Sequence, residues 1–133
     1  MKLEFTVNKP LPHVFEYLTD MKKFVSVHPI IYQMDDLGES NYLVHEKLKL
    51  LYIPCTFRYK ANVKGHAKGD HVRISAVVMG MVNIEMNFFL QEQADTTVVS
   101  EEVNFRSLLP VKPVMKKIFR EQHRELFNNI DKA

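Results

Sequence analysis

The chain has 133 residues, 46% of them hydrophobic and 26% charged, which fits one globular domain with one core and no disordered tract. Lys and Arg number 18 against 16 Asp and Glu, a net charge of +2 that makes no bulk electrostatic case for binding nucleic acid. Cys55 is the one cysteine, so an intramolecular disulfide, a zinc knuckle and a CxxC redox pair are all excluded.

In chain order, Leu3, Phe5 and Val7 of KLEFTV alternate with polar residues, the period of a half-buried strand. The opening MKLEFTVNKP has no long apolar signal core, and no segment approaches the roughly 20 apolar residues that cross a bilayer. A cytoplasmic protein is the simplest expectation. Pro10 and Pro12 then suit a first helical turn, and Val14, Phe15 and Leu18 fall at helical spacing. Asp20 is placed to cap a second short helix through MKKFV, which Pro29 closes by disfavouring helical geometry at His28.

From Ile30 to Arg106 the chain reads as six strands: IIYQMDDL, NYLVHEKLKL, IPCTFRYKANV, HVRISAVVM, VNIEMNFFLQE and TTVVSEEVNFR. Breaks at Gly38, near Pro54, between Gly65 and Asp70, at Gly80 and at Ala94 to Asp95 leave links short enough for antiparallel hairpins. After Pro110 and Pro113, one face of a long helix is traced by Val114, Met115, Ile118, Phe119, Gln122, Leu126, Phe127 and Ile130. The expected architecture is α+β, a curved seven-stranded antiparallel sheet wrapped on the C-terminal helix, with two short helices between strands one and two. Residues 1–133 form a single domain in this reading.

The order of these elements, with VFEYLTDMKKFVSVHP after the first strand and PVMKKIFREQHRELFNNI at the end, resembles the START-like superfamily, also called SRPBCC or helix-grip. The similarity extends to polyketide cyclase/dehydrase-type and lipid-transport-type members, and it rests on fold markers. It implies a deep cavity between sheet and long helix, which members of the superfamily use for lipids, polyketides, hormones or protein partners.

Strand period alone assigns one inward surface. It carries Tyr42, Val44, Leu48 and Leu50; Phe57, Tyr59, Ala61 and Val63; Val72, Ile74, Ala76 and Val78; Val82, Ile84, Met86, Phe88 and Leu90; and Val99, Val103 and Phe105. The helix adds Met115, Ile118, Phe119 and Gln122. Such a surface either packs solid or lines a cavity, and methionines such as Met79, Met81, Met86 and Met115 suit an adaptable lining as well as core filling. The candidate ligand contacts are Glu46, Phe57, Tyr59, Ile74, Ala76, Met86, Phe88, Val99, Glu101, Met115 and Phe119.

Glu46 and Glu101 break the apolar phase. An inward carboxylate is costly and suits a general acid or base, or a polar anchor for a ligand hydroxyl or amine. The alternatives are a β-bulge that turns it outward, a place at the open rim, or a hydrogen bond to Tyr42, Tyr59 or the backbone. His13, His28, His45, His66, His71 and His123 form no HxH, HxxxH or HExxH pair, so no metal site is expected. His123 flanks the apolar helix face, within reach of a ligand or as a satisfied boundary residue. Cys55 lies on the inward phase as a buried structural thiol. With no GxGxxG, P-loop or GxSxG, no cofactor is implied.

Lys112, Lys116, Arg120 and Arg124 recur every four residues along the last helix, beside Lys117. That ridge is an ordinary solvated face or a weak contact for an anionic membrane surface or acidic protein. Three functions remain: binding or transport of a small hydrophobic or amphipathic ligand, a cyclase/dehydratase-type enzyme using cavity carboxylates, or a protein-interaction module.

Overall fold

The computed structural model describes residues 1–50 and 52–133, with the Leu50 side chain outside that description. The inward position expected for Leu50 therefore lies outside the described side chains. The elements run β1 (Lys2–Val7), α1 (Leu11–Thr19), α2 (Met21–Val27), β2 (Ile31–Gly38), β3 (Asn41–Leu50), β4 (Ile53–Gly65), β5 (His71–Val78), β6 (Val82–Gln93), β7 (Thr96–Arg106) and α3 (Lys112–Lys132). The strands form one seven-stranded sheet in the order β1-β7-β6-β5-β4-β3-β2, antiparallel throughout. The expected α+β layout is the observed one.

Local chemistry explains the boundaries. The Asp20 carboxylate accepts the Lys22 and Lys23 amides at 3.1 and 3.3 Å, which ends α1 and starts α2 with almost no link. Pro12 and Pro113 occupy first-turn positions of α1 and α3, where their missing N–H costs nothing. At the β5–β6 turn both Met79 (φ 56°) and Gly80 (φ 69°) are left-handed, as a tight hairpin turn matching the strand twist requires.

One face of the sheet receives α1, α2 and α3. Val7, Val14, Leu18, Phe24, Val99, Leu126, Phe127 and Ile130 close a packed core at the α2 end, where Phe5 stacks on Phe127 with ring centroids 4.7 Å apart. A second cluster of Val82, Ile84, Val103 and Phe105 packs under the first half of α3 with Met115 and Phe119. Gly65 sits where α1 crosses β4. A Cβ there would meet Phe15 Cζ at 2.7 Å and Thr19 Cγ2 at 2.9 Å, so any other residue would have to push both side chains of α1 aside.

Candidate functional site

Between the sheet and α3 lies a cavity of about 370 Å³, in the size range of small-molecule sites. Its walls come from alternate residues of β3 to β6 on one side and from Met115, Ile118, Phe119, Gln122, His123 and Leu126 of α3 on the other. The two ends differ. At one, the lining residues Phe24, Ile31, His123 and Leu126 are buried. At the other, Met79, Met81, Leu109 and Val114 line the space and are also exposed to solvent, which makes this the mouth. Val114, expected on the inward helix face, stands at that rim, exposed in the first turn of α3.

Of the candidate contacts, Glu46, Phe57, Tyr59, Ile74, Ala76, Met86, Phe88, Met115 and Phe119 all line the cavity. Val99 and Glu101 do not. Val99 is fully buried in the packed core with Leu126, Phe127 and Ile130, at the end of β7 away from Val103 and Phe105, which pack with Met115 and Phe119. Glu101 is 1% exposed and sits behind His123. Its two carboxylate oxygens lie 2.7 and 2.6 Å from His123 Nδ1. Neither a bulge nor a rim position turns it outward, since the β6–β7 register passes through Glu101 opposite Phe88 without interruption.

His123 is therefore more than a boundary residue. It is 4% exposed and lines the cavity, with the Phe119 ring edge-on at 5.1 Å and Phe88 at 5.9 Å. An imidazole in such a wall needs a polar partner, and Glu101 supplies it. Glu46 finds its partner in the next strand: Tyr59 donates its hydroxyl hydrogen to Glu46 Oε2 at 2.6 Å. Burial raises the Glu46 carboxyl above the usual carboxylate range, opposed by the Tyr59 hydrogen bond. Burial, with Glu46 alongside, also holds the Tyr59 phenol well above its ordinary value.

Sequence reasoning passed over His28. It caps α2, and its Nδ1 accepts the amides of Ile30 and Ile31 at 3.2 and 3.0 Å, while the ring lines the cavity. Burial, then the nearby His123, lowers its pKa to about 3. The signal available was the His-Pro pair at a helix end, which fixes where the chain turns but not which way the ring points. Cys55 keeps its inward phase yet is only half-buried, near the β3–β4 hairpin, with its thiol 3.6 Å from the Ile53 carbonyl. The neighbouring Tyr52 and Ile53 are exposed, so the thiol lacks the cover expected for it. Among the described residues no group of three or more His, Cys, Asp or Glu could hold a metal ion, and no helix is long and apolar enough to cross a membrane.

No family model matches the chain and no curated protein matches it. Solved structures do. A conserved protein from Geobacillus kaustophilus superposes with a TM-score of 0.85 at 13% identity, over 98% of this chain and 91% of that one. A START superfamily protein from Mycobacterium smegmatis gives 0.78 at 15% identity, over 98% and 93%. The di-domain ARO/CYC StfQ of the steffimycin biosynthetic pathway gives 0.71 at 14% identity, with all of this chain matching 44% of that one. At these identities the likeness is one of fold.

Proposed function

We propose that this chain, which has the START-like helix-grip fold, binds or carries a small hydrophobic or amphipathic molecule inside the cavity between sheet and α3, as a single domain. The observation that carries the reading is an apolar cavity of about 370 Å³ with one buried end and one exposed apolar mouth. Left dry, that volume would forfeit on the order of 9 kcal/mol at about 24 cal/mol per Å³, as much as the whole stability of an ordinary domain. An apolar occupant offsets the loss, and the methionines at the mouth adapt to its shape. A cytoplasmic setting agrees with the single unpaired Cys55.

Native mass spectrometry of freshly purified protein, followed by denaturing extraction, tests the proposal. A stoichiometric small molecule that leaves on denaturation is the expected result; protein that is reproducibly empty and takes up no neutral apolar fluorophore would refute it. The exposed residues Lys112, Lys116, Arg120 and Arg124 run along α3 from the mouth, which supports loading at an anionic membrane surface. Flotation with phosphatidylserine vesicles, lost in high salt and absent with phosphatidylcholine alone, is the outcome that agrees with it.

A second reading, a cyclase/dehydratase-type enzyme, is favoured by one feature. Glu46, with its raised pKa, and Tyr59 form a hydrogen-bonded proton-exchanging pair in the cavity wall. Turnover of a polyketide-like substrate that is abolished in Glu46→Gln would establish it.

A further inference from the structure

The cavity mouth is also where exposed apolar side chains gather. In an antiparallel meander alternate turns fall at the same end of the sheet, so the β3–β4 hairpin, the β5–β6 hairpin and the link from β7 to α3 share an end. Among the described residues each of the three carries a pair of large exposed apolar side chains: Tyr52 and Ile53, Met79 and Met81, Leu108 and Leu109. Leu108 is 100% exposed and Tyr52 96%, so these side chains project from the molecule and cover nothing of their own. Two of them also sit on costly backbone. Met79 (φ 56°) and Tyr52 (φ 69°) are left-handed, a conformation that favours Gly, Asn or Asp over a long or aromatic side chain.

Charge is divided the same way. Residues 47–60, which hold the first hairpin, contain four Lys or Arg, and residues 103–120, which hold the link and the first half of α3, contain five; neither stretch has an Asp or Glu. Residues 77–84, around the second hairpin, have no Lys, Arg, Asp or Glu. All 16 acidic residues therefore lie elsewhere in the chain, and the apolar tips stand in a cationic surround. Lys49 is opposite Pro54 in the first hairpin, while Lys112 and Lys116 bracket Val114 in the first turns of α3, and all three are exposed. A second copy docked mouth to mouth would bring two such cationic ends together, which disfavours self-association. Separate side chains projecting around an opening are accommodated by a fluid surface without shape matching. An anionic bilayer supplies hydrocarbon for the tips and phosphate for the lysines.

We propose that the mouth end docks on an anionic phospholipid bilayer, with Met79, Leu108 and their neighbours seated among the lipid chains, Lys49, Lys112 and Lys116 against the phosphates, and the cavity opening into the hydrocarbon layer, where its occupant enters and leaves. This rests on the reading of the cavity as a ligand site. Docking by this end also sets an orientation. The cavity-lining residues of α3 run from Val114 at the mouth to Leu126 at the buried end, so the helix points away from the membrane. Arg124 then stands about 18 Å above Lys112, at 1.5 Å per residue, beyond the roughly 8 Å over which exposed charges act at physiological ionic strength. A few shallow apolar side chains, like a single acyl anchor, give only marginal binding, and the lysines supply the second signal.

The chain has no tryptophan, so Leu108→Trp is a lone reporter at the mouth. Its control is Leu37→Trp, at an exposed position beside the β2–β3 turn at the opposite end. With vesicles of phosphatidylserine and chain-brominated phosphatidylcholine, Leu108→Trp emission is expected to shift to the blue and be quenched, and Leu37→Trp emission to do neither. Vesicle binding without that shift, or equal shifts at both positions, overturns the docking. So does a Leu108→Trp shift produced by raising protein concentration without vesicles, the mark of a second copy. Lys112→Gln/Lys116→Gln should lower the partition coefficient about 25-fold, at about fivefold for each lysine near the surface, while Arg124→Gln changes it less than about twofold; equal losses per charge would lay the helix flat and overturn the orientation. Met79→Asn places the preferred Asn-Gly pair in its turn. Met79→Asn/Leu108→Ser should therefore hold or raise the melting temperature and yet lose about tenfold in partition, the tips being one of the two signals; unchanged partition overturns their role. Uptake of phenylnaphthylamine by the wild type without vesicles reads the enclosure separately. No uptake removes the cavity reading and the exchange step with it, while the tryptophan reporter still decides the docking.

Discussion

At the scale of single residues, the histidines control how stability depends on composition and pH. His123 and Glu101 are both buried and touch each other, so removing one strands the other. His123→Leu should cost about 3 kcal/mol of unfolding free energy in urea, and Glu101→Leu/His123→Leu should recover most of it. An unchanged cost in the double variant would mean that shape, not charge, dominates there. His28 gives a pH effect of definite sign. Its folded pKa of about 3 lies below the unfolded value near 6.5. Below pH 6.5 the unfolded state therefore binds the extra proton, and stability falls by up to about 1.4 kcal/mol per pH unit until pH 3. His28→Asn keeps an oxygen able to accept the Ile30 and Ile31 amides without titrating, so its unfolding free energy should be flatter over that window. Glu101 could be picked out from the sequence because it interrupts an alternating run. Its partner could not, because strand period says which face a residue is on and says nothing of what a helix 22 residues later lays against it.

At the scale of elements, the crossing of α1 over β4 depends on one missing methyl. The contacts that a Cβ at Gly65 would make, 2.7 and 2.9 Å, are to the Phe15 ring, which packs partly buried against the core, and to a Thr19 methyl whose neighbouring hydroxyl is tied to the Phe15 carbonyl. Gly65→Ala should cost about 1 to 3 kcal/mol and loosen α1 first, seen as faster amide exchange in Leu11–Thr19 than in β6. Nearly every element boundary was legible from alternation, helical spacing and caps. The strands expected at 41–50 and 96–106 have those bounds. The glycine had a different apparent role, since Gly65 looks like a turn marker in the sequence and ends a strand of 13 residues, pressed against a helix 46 positions earlier in the chain at Thr19. Close approach between distant segments leaves no local periodicity to read.

At the scale of the whole molecule, what the sequence left undecided was whether the inward surface is solid or hollow. Val44, Val72 and Phe88 keep the same phase and all belong to the buried core, yet Val44 and Phe88 also line the cavity and Val72 does not. The separation depends on how far α3 stands off the sheet, which composition does not encode. The sheet order has a further bearing on how the chain comes to be folded. Strands β2 to β7 pair each with its sequence neighbour, but β1 pairs only with β7, Leu3 lying opposite Glu101 and Phe5 opposite Val99. The hairpins close cheap, short loops, while the β1–β7 pairing must close one spanning most of the chain. Phe5→Ala, which removes the stack on Phe127, should therefore speed unfolding while leaving the folding rate nearly unchanged in a stopped-flow chevron. During synthesis β1, made before the other six strands of the sheet, would be the last one seated, waiting with its hydrogen-bonding edge unpaired until the ribosome has delivered β7.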